Sequence, residues 1–170
     1  EGGTRVPCII RFPDLIPAGE VMDKLTSAVD LLPTLAVGCG IKLKEGADIV
    51  PKMDGVNLWG SLLGETKTHP RSSLLYWNGW AFPQAIRVGN WKLYFDKVKE
   101  IEGSDKGSVL FDLNKDPSEK NNLSNQFPEK VKSMKAIAKK LLLEIEQNSI
   151  SLGGGISPKK TKNKRGHWLK

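Results

Sequence analysis

An α/β segment, followed by a small antiparallel sheet packed by a C-terminal helix, is the fold class that the sequence predicts. Three patterns point to it. A short, mostly apolar run over residues 5–12 leads through a turn into helical spacing over residues 22–39, the strand–turn–helix order of an α/β unit. Four short strand-like runs then follow one another between residues 73 and 113, two of them separated only by Gly89-Asn90. Finally Val131, Met134, Ile137, Leu141 and Ile145 recur at intervals of three and four, the mark of an amphipathic helix.

The elements read in order as follows. Arg5-Val6-Pro7-Cys8-Ile9-Ile10-Arg11-Phe12 suits a strand buried on both faces, and Pro13 with Pro17-Ala18-Gly19 ends it. From Met22 to Cys39, Leu25, Val29, Leu32 and Leu35 fit one helical stripe. Asp30 stands where a carboxylate can cap a helix start, Pro33 is tolerated in the first turn, and Gly38 and Gly40 supply the stop. Residues 42–56 read as a loop, Leu58–Leu63 as a short helix, and the polar stretch Thr66–Arg71 as a subdomain boundary. Strands are predicted at 73–77, 84–88, 91–95 and 109–113, with Gly89-Asn90 as a hairpin turn and Asn114–Pro117 as a second turn. The last helix runs over 127–147, with Pro128 at its start and lysines largely off the apolar stripe. That stripe is expected to pack on the sheet; a helix lying on a membrane surface would want an aromatic anchor, which is absent.

Composition bounds what the chain can do. Its 170 residues are 39% hydrophobic and 26% charged, which suits a folded chain with a core and excludes a wholly disordered one. No run of about 18 apolar residues exists, so no transmembrane helix is expected. The net charge of +7 is concentrated at one end: Lys159, Lys160, Lys162, Lys164, Arg165 and Lys170 lie in a final segment without acids, leaving 20 basic against 19 acidic residues before it. The body is therefore near neutral, which argues against a basic nucleic-acid face. Residues 149–170 read as a flexible basic tail able to attach weakly to polyanions. Cys8 and Cys39 fit no metal-binding spacing and read as buried free thiols. Residue 1 is Glu and an apolar run follows almost at once, which reads as a piece cut from a longer protein or processed to this point.

Five motifs in order carry a resemblance. Glu1-Gly2-Gly3-Thr4-Arg5-Val6-Pro7 resembles a Glu-Gly-Gly-x-Arg-x-Pro segment, and Asp30-Leu31-Leu32-Pro33-Thr34 an Asp-Leu-x-Pro-Thr helix. Asp54-Gly55-Val56-Asn57-Leu58 with Leu62-Leu63-Gly64-Glu65 is similar to an Asp-Gly-x-x-Leu stretch and its Leu-Leu-x-Gly sequel. Ala85–Leu93 matches a hairpin containing Gly-x-Trp-Lys, and Leu110–Leu123 resembles Leu-Tyr-Asp-Leu-x-x-Asp-Pro-x-Glu-x-x-Asn-Leu. Together they resemble the C-terminal portion of the sulfatase family, arylsulfatase-like members of the alkaline phosphatase superfamily. The fold class is then the C-terminal part of a sulfatase-like α/β domain, residues 1–68, followed by an antiparallel-sheet subdomain with its terminal helix, 69–148, and the tail, 149–170.

The resemblance implies a parent that hydrolyses sulfate esters of glycan or aryl substrates, with a formylglycine nucleophile made from Cys or Ser in a Cys/Ser-x-Pro-x-Arg motif and a divalent cation, usually calcium. It also implies a secretory, lysosomal, extracellular or periplasmic location. Cys8 is followed by Ile-Ile-Arg and Cys39 by Gly-Ile-Lys, so neither is that nucleophile; no Asp-Asp pair stands ready for a metal, and only His69 and His167 are present. No catalytic or metal-binding residue is carried over, and the isolated chain is expected to be inactive, with the remainder of a parent sulfatase as its partner. What the resemblance leaves is a substrate role for Trp77, Asn78 and Trp80, where indoles could stack on a sugar or aryl ring. The structural alternative makes Trp77 core and Trp80 a loop anchor; His69 as an acid is set aside. Glu1-Gly2-Gly3 would lie near an active-site floor. Asn122-Leu123-Ser124 is a glycosylation sequon. The rival reading is a non-catalytic module that holds polyanions through Lys159–Lys170.

Overall fold

The computed structural model describes residues 2–43, 53–65, 70–78, 82–95, 101–103 and 107–148. The chain divides into two compact units, Glu1–Leu74 and Leu75–Lys170. Glu1, residues 44–52 of the expected 42–56 loop, residues 66–69 with His69, Trp80, and the tail from Ser149 with His167 lie outside the described residues.

In the first unit a 3-10 turn, Ala28–Asp30, runs directly into helix α1, Leu31–Gly38, and a short helix α2 covers Trp59–Leu62. Pro33 falls in the first turn of α1, where its missing N–H leaves no bond unmade. Beyond the helix Gly40 adopts φ +72°, and the amides of Gly40 and Ile41 donate to the carbonyls of Val37 and Ala36 at 2.9 and 2.8 Å. Those paired bonds close the helix as the Gly38/Gly40 stop predicts. The indole of Trp59 lies on Gly38, where an added Cβ would fall 2.5 Å from the ring, and Phe12 meets the same indole edge-on at 5.7 Å.

Four expectations for this unit are corrected. Residues 5–12 form no strand, and Ile9 is 95% exposed. An extended segment has no hydrogen bonds of its own and needs a neighbour; among the described residues no ladder reaches this one. The helix expected over 22–39 begins only at Ala28, because Ser27 is held extended (φ −140°, ψ 154°) with its amide donating to the Asp30 carboxylate at 2.9 Å. Asp30 occupies the cap position of α1 but makes no side-chain cap bond; its carboxylate points to other partners, described below. The apolar stripe faces outward on α1: Val29, Leu32 and Leu35 are exposed, while Asp30, Pro33, Thr34 and Ala36 are buried. Cys8 and Cys39 are free thiols as expected but both are exposed, one in the unpaired run and the other at the helix exit.

The second unit follows its sequence pattern closely. Strands β1 (Ser73–Trp77), β2 (Pro83–Val88), β3 (Trp91–Tyr94) and β4 (Val109–Asp112) form one sheet in the order β1-β2-β3-β4. β2 and β3 pair antiparallel with Val88 opposite Trp91, so Gly89-Asn90 is a two-residue hairpin turn, with Gly89 at φ +57°. β3 and β4 pair antiparallel with Leu93 opposite Leu110, and the Leu113 amide extends the ladder by donating to the Asn90 carbonyl at 2.8 Å.

Alternation along the strands divides the side chains between two faces. Leu75, Ile86, Leu93, Phe95 and Leu110 join Met134 and Ala138 of helix α3, Pro128–Gln147, in the main core. Val131, Ile137, Leu141 and Ile145, the stripe read from the sequence, pack around it. Val109, Phe111 and Leu113 form a second cluster with Tyr94 and Ile101 on the opposite side of the alternation. The N-terminal end of α3 is secured by Phe127 against Trp91 at 5.2 Å between ring centroids, with Lys130 Nζ 5.3 Å from the same indole. Each fully buried large side chain contributes roughly 1.5–3 kcal/mol relative to exposure. Among the described residues no helix is long and apolar enough to cross a membrane.

Candidate functional site

Polar side chains concentrate at four places. The first is Asp30, buried in the first unit. Its Oδ1 accepts from the Val56 amide at 2.8 Å and from Arg71 Nη2, and its Oδ2 accepts from Arg71 Nε at 2.7 Å and from the Ser27 amide. Arg71 Nη2 also donates to the Asp54 carbonyl at 2.9 Å. One turn on, the Thr34 hydroxyl donates to the Asp30 carbonyl at 2.6 Å and accepts from the Leu58 amide at 2.9 Å. Asp30 and Thr34 thus dock the Asp54–Leu58 motif onto α1. Gly55 is required there because an added Cβ would lie 2.0 Å from the Val29 carbonyl oxygen. Desolvation pushes the Asp30 carboxyl up, but the Arg71 bond and the two amides act the other way, and it is held below its ordinary value. Every partner organises backbone, so this is architecture rather than chemistry.

The second place is Lys92, whose ammonium is buried on strand β3. It pairs with Glu119 at 2.9 Å and lies 4.6 and 4.8 Å from the ring centroids of Tyr76 and Tyr94. The Tyr94 hydroxyl is 3.3 Å from both Glu119 oxygens. Burial pushes the Glu119 carboxyl up, the hydrogen bond and charge of Lys92 oppose it, and the net is a carboxyl below its ordinary value; burial dominates at Tyr94 and raises its phenol. Glu119 adopts φ +56°, uncommon for a residue with a Cβ, which turns its side chain onto Lys92. The turn leading there is held by Asp116, whose Oδ2 accepts from the Lys120 and Asn121 amides at 2.8 and 2.7 Å. The sequence motifs Gly-x-Trp-Lys and Asp-Pro-x-Glu therefore meet as an ion pair. The sequence reading missed this, since nothing in the spacing of residues 92 and 119 shows it; a lysine predicted to lie within a strand was the available signal.

The third place holds the sequence-predicted substrate residues. Trp77 ends β1 and is 40% exposed, and Phe82, equally exposed, precedes β2. Asn78 closes the turn between them: its amide donates to the Phe82 carbonyl at 3.0 Å, and its Oδ1 accepts from the Phe82 amide at 2.9 Å. Trp77 and Asn78 are therefore adjacent at one corner of the sheet, Phe82 is an aromatic neighbour that the sequence reading passed over, and Trp80 lies outside the described residues.

The fourth is Asn122 of the sequon, exposed, with its Oδ1 accepting from Leu110 at 3.2 Å and from Ser124 at 2.9 Å. The Leu123 amide donates to the Leu110 carbonyl at 2.8 Å, so this segment covers the outer edge of β4. Among the described residues no group of three or more His, Cys, Asp or Glu side chains could hold a metal ion. The calcium implied by the resemblance thus finds no fit among them, and no step is derived through it.

Comparison with known proteins gives this arrangement its context. The family described as N-sulphoglucosamine sulphohydrolase, C-terminal, matches residues 1–149. Human steryl-sulfatase is 33% identical over 144 residues, covering 73% of this chain and 25% of its own length. Bovine arylsulfatase A is 32% identical over 150 residues, 76% of this chain and 28% of the relative. An N-acetylgalactosamine-6-O-sulfatase from Bacteroides thetaiotaomicron is 31% identical over 144 residues, 79% and 26%. Among solved structures, Ps i-CgsB superposes with a TM-score of 0.60 at 26% identity over 81% of this chain and 29% of that one. PsFucS1 sulfatase from Pseudoalteromonas sp. shares the fold with a TM-score of 0.62 at 20% identity, 81% and 29% covered. The chain spans about a quarter of the length of the relatives it matches. The five motifs, the sheet with its packing helix and these matches lead to one conclusion: the chain belongs to the sulfatase family, and its residues 1–149 correspond to that family's C-terminal region.

Proposed function

We propose that this chain is the C-terminal region of an enzyme that hydrolyses sulfate esters of a glycan or aryl alcohol, and that the nucleophile and the metal ligands come from polypeptide outside it. The family match over residues 1–149 carries this reading. In it, residues 1–68 close the α/β core, residues 69–148 form the sheet subdomain, and the isolated chain is catalytically silent.

The chain's own contribution is positional. Trp77 and Trp80 offer ring faces for the sugar or aryl group that bears the sulfate, and Asn78 holds the corner that presents Trp77. Several relatives carry sugar or steryl sulfates in their names, which supports a ring-shaped substrate. Glycosylation at Asn122 would place the protein in the secretory pathway, and loss of mass on endoglycosidase treatment of protein from a secreting cell tests it.

Sulfate release decides the main reading. The 170-residue chain alone is expected to turn over neither an aryl sulfate nor 6-sulfated N-acetylgalactosamine. A chimera in which residues 1–149 replace the matching quarter of the Bacteroides N-acetylgalactosamine-6-O-sulfatase is expected to release sulfate. Turnover by the chain alone, or a folded chimera with no turnover, would reject it.

A further inference from the structure

Helix α3 has one face committed to the core and one open to solvent. Met134 and Ala138 are buried against the sheet, with Val131, Ile137, Leu141 and Ile145 packed around them. At about 100° per residue, Lys132, Lys135 and Lys139 fall together within about 60°, outside the arc that packs on the sheet. Lys140 lies further round the outer side, and Lys130 lies over the Trp91 ring. Lys132, Lys139 and Lys140 are exposed, and among the described residues none of these three forms an ion pair.

These charges are set against the electrostatics of their own helix. Residues 129–143 hold five lysines and one acid, Glu129, while Glu144 and Glu146 stand toward the C-terminal end and the last turn has no basic residue. The helix dipole favours the reverse order, with cations gathered at the C-terminus. Lys135 stands three residues from Lys132 and four from Lys139, so like charges are neighbours where opposite ones would support the helix. Elsewhere before Lys159 acids outnumber bases, so α3 carries the positive excess of the chain's body. A face that serves solubility alone intersperses both signs. This one gathers a single sign at the expense of its helix, and a bound polyanion would relieve the repulsion.

The layout of the row selects the anion. Lys132 and Lys139 are two turns apart, about 10.5 Å along the axis, so their charges run along the helix rather than converge on one point. A linear polyanion meets such a row with successive charges, whereas a lone sulfate or phosphate meets only part of it. Lysines act as point charges without the fork that reads planar groups, so they recognise charge density. Single-stranded nucleic acid would also want aromatic faces for its bases, and α3 contains no aromatic residue. A membrane surface would want an apolar face, but the apolar stripe is used by the core and Leu143 is the one large apolar side chain that α3 exposes. A polysaccharide bearing sulfates along its length has the charge and the shape, and it is the glycan class of the proposed substrate.

We propose that Lys132, Lys135, Lys139 and Lys140 form a binding surface on α3 for a sulfated polysaccharide chain. This rests on the glycan arm of the proposed function. It goes further in naming a charge-reading contact for the same polymer that the Trp77–Asn78 corner would meet through a single ring.

Binding of the 170-residue chain to heparin is measured against salt, with desulfated heparin, single-stranded DNA and phosphatidylserine vesicles as the other probes. A variant with the six basic residues of Lys159–Lys170 changed to Gln is measured alongside, because that segment is also cationic. Lys132→Gln with Lys139→Gln and Lys140→Gln is expected to weaken heparin binding about 10-fold or more in both backgrounds. The slope of log K against log salt is expected to flatten by about two to three, roughly one for each lost contact. Lys135, which is half-buried, is left in place. The corresponding three Lys→Arg changes are expected to keep the parent affinity, and the thermal midpoint of the Gln variant is expected to be no lower than the parent's. Parent-like heparin affinity in the Gln variant, equal affinity for desulfated heparin, or tighter binding to DNA or vesicles than to heparin would each overturn the proposal. A lowered thermal midpoint would assign the lysines to the fold and overturn it too. Sulfate release is a separate readout: an inactive chimera alongside heparin binding through α3 sinks the functional reading alone, and an active chimera alongside a chain whose α3 ignores heparin sinks this one.

Discussion

Arg71 holds the carboxylate of Asp30 across 41 positions of sequence, with Nε 2.7 Å from Oδ2 and Nη2 on Oδ1. The same guanidinium reaches the carbonyls of Asp54 and Ser73 at 2.9 and 3.3 Å. One two-pronged ion pair therefore ties the start of α1, the Asp-Gly motif and the approach to β1. Such forked pairs carry geometry as well as charge.

Asp30→Asn is expected to destabilise the first unit by about 3–5 kcal/mol, because it leaves the mostly buried guanidinium without its counter-charge. Hydrogen exchange over residues 28–38 and 53–65 reads this, with protection over residues 82–95 as the internal control. Unchanged protection in the first unit would mean that the pair is ornamental.

Acid should loosen the protein through two carboxyls. Asp30 and Glu119 are held below their ordinary values of 3.8 and 4.5, so folding favours their ionised forms. Their contribution is fully present above those values and is lost as pH falls through the lower folded-state values. Urea midpoints measured from pH 6 down to pH 2.5 are expected to fall, and Glu119→Gln is expected to flatten part of that fall. A slope unchanged by the substitution contradicts the assignment.

Lys92→Ala should cost the sheet unit about 3–5 kcal/mol, since the partly buried Glu119 carboxylate loses the Lys92 counter-charge. Pairing Lys92→Met with Glu119→Leu is expected to recover much of that loss, because two apolar groups need no counter-charge. A double-mutant cycle followed by tryptophan fluorescence measures the coupling.

Gly55→Ala is expected to destabilise the first unit by about 2 kcal/mol or more, since its Cβ would meet the Val29 carbonyl oxygen. Gly2→Ala, with nothing within 4 Å of the added atom, serves as the control and should be silent. Thermal melts of the two variants make the comparison.

Trp77→Ala in the active chimera is expected to raise KM about fivefold with kcat nearly unchanged, the effect of losing roughly 1 kcal/mol of ring stacking. Asn78→Ala should give a similar KM shift through loss of the closed corner. Unchanged KM in both would assign the corner to packing alone.

The second unit was legible from the chain because its contacts are local. Period-two strands, a two-residue turn at Gly89-Asn90 and a three-four stripe on 128–147 specify neighbours that lie close in sequence, so pattern sufficed to predict them. The order of five motifs likewise sufficed for the family. The first unit was misread because its partners are distant or absent. Asp30 looked like a helix cap by position, yet its carboxylate goes to Val56 and Arg71, 26 and 41 residues away. The run 5–12 has strand composition, but a strand exists only where another backbone receives its hydrogen bonds. The Lys92–Glu119 pair was equally hidden, since two separate motifs become one site only after the Asp116 turn folds back. Sequence by itself thus determined the periodic elements and the kinship, because both are written in local order. Only the tertiary structure decided which face of α1 is buried and which charges meet, because burial and ion pairing depend on the neighbours that folding brings near.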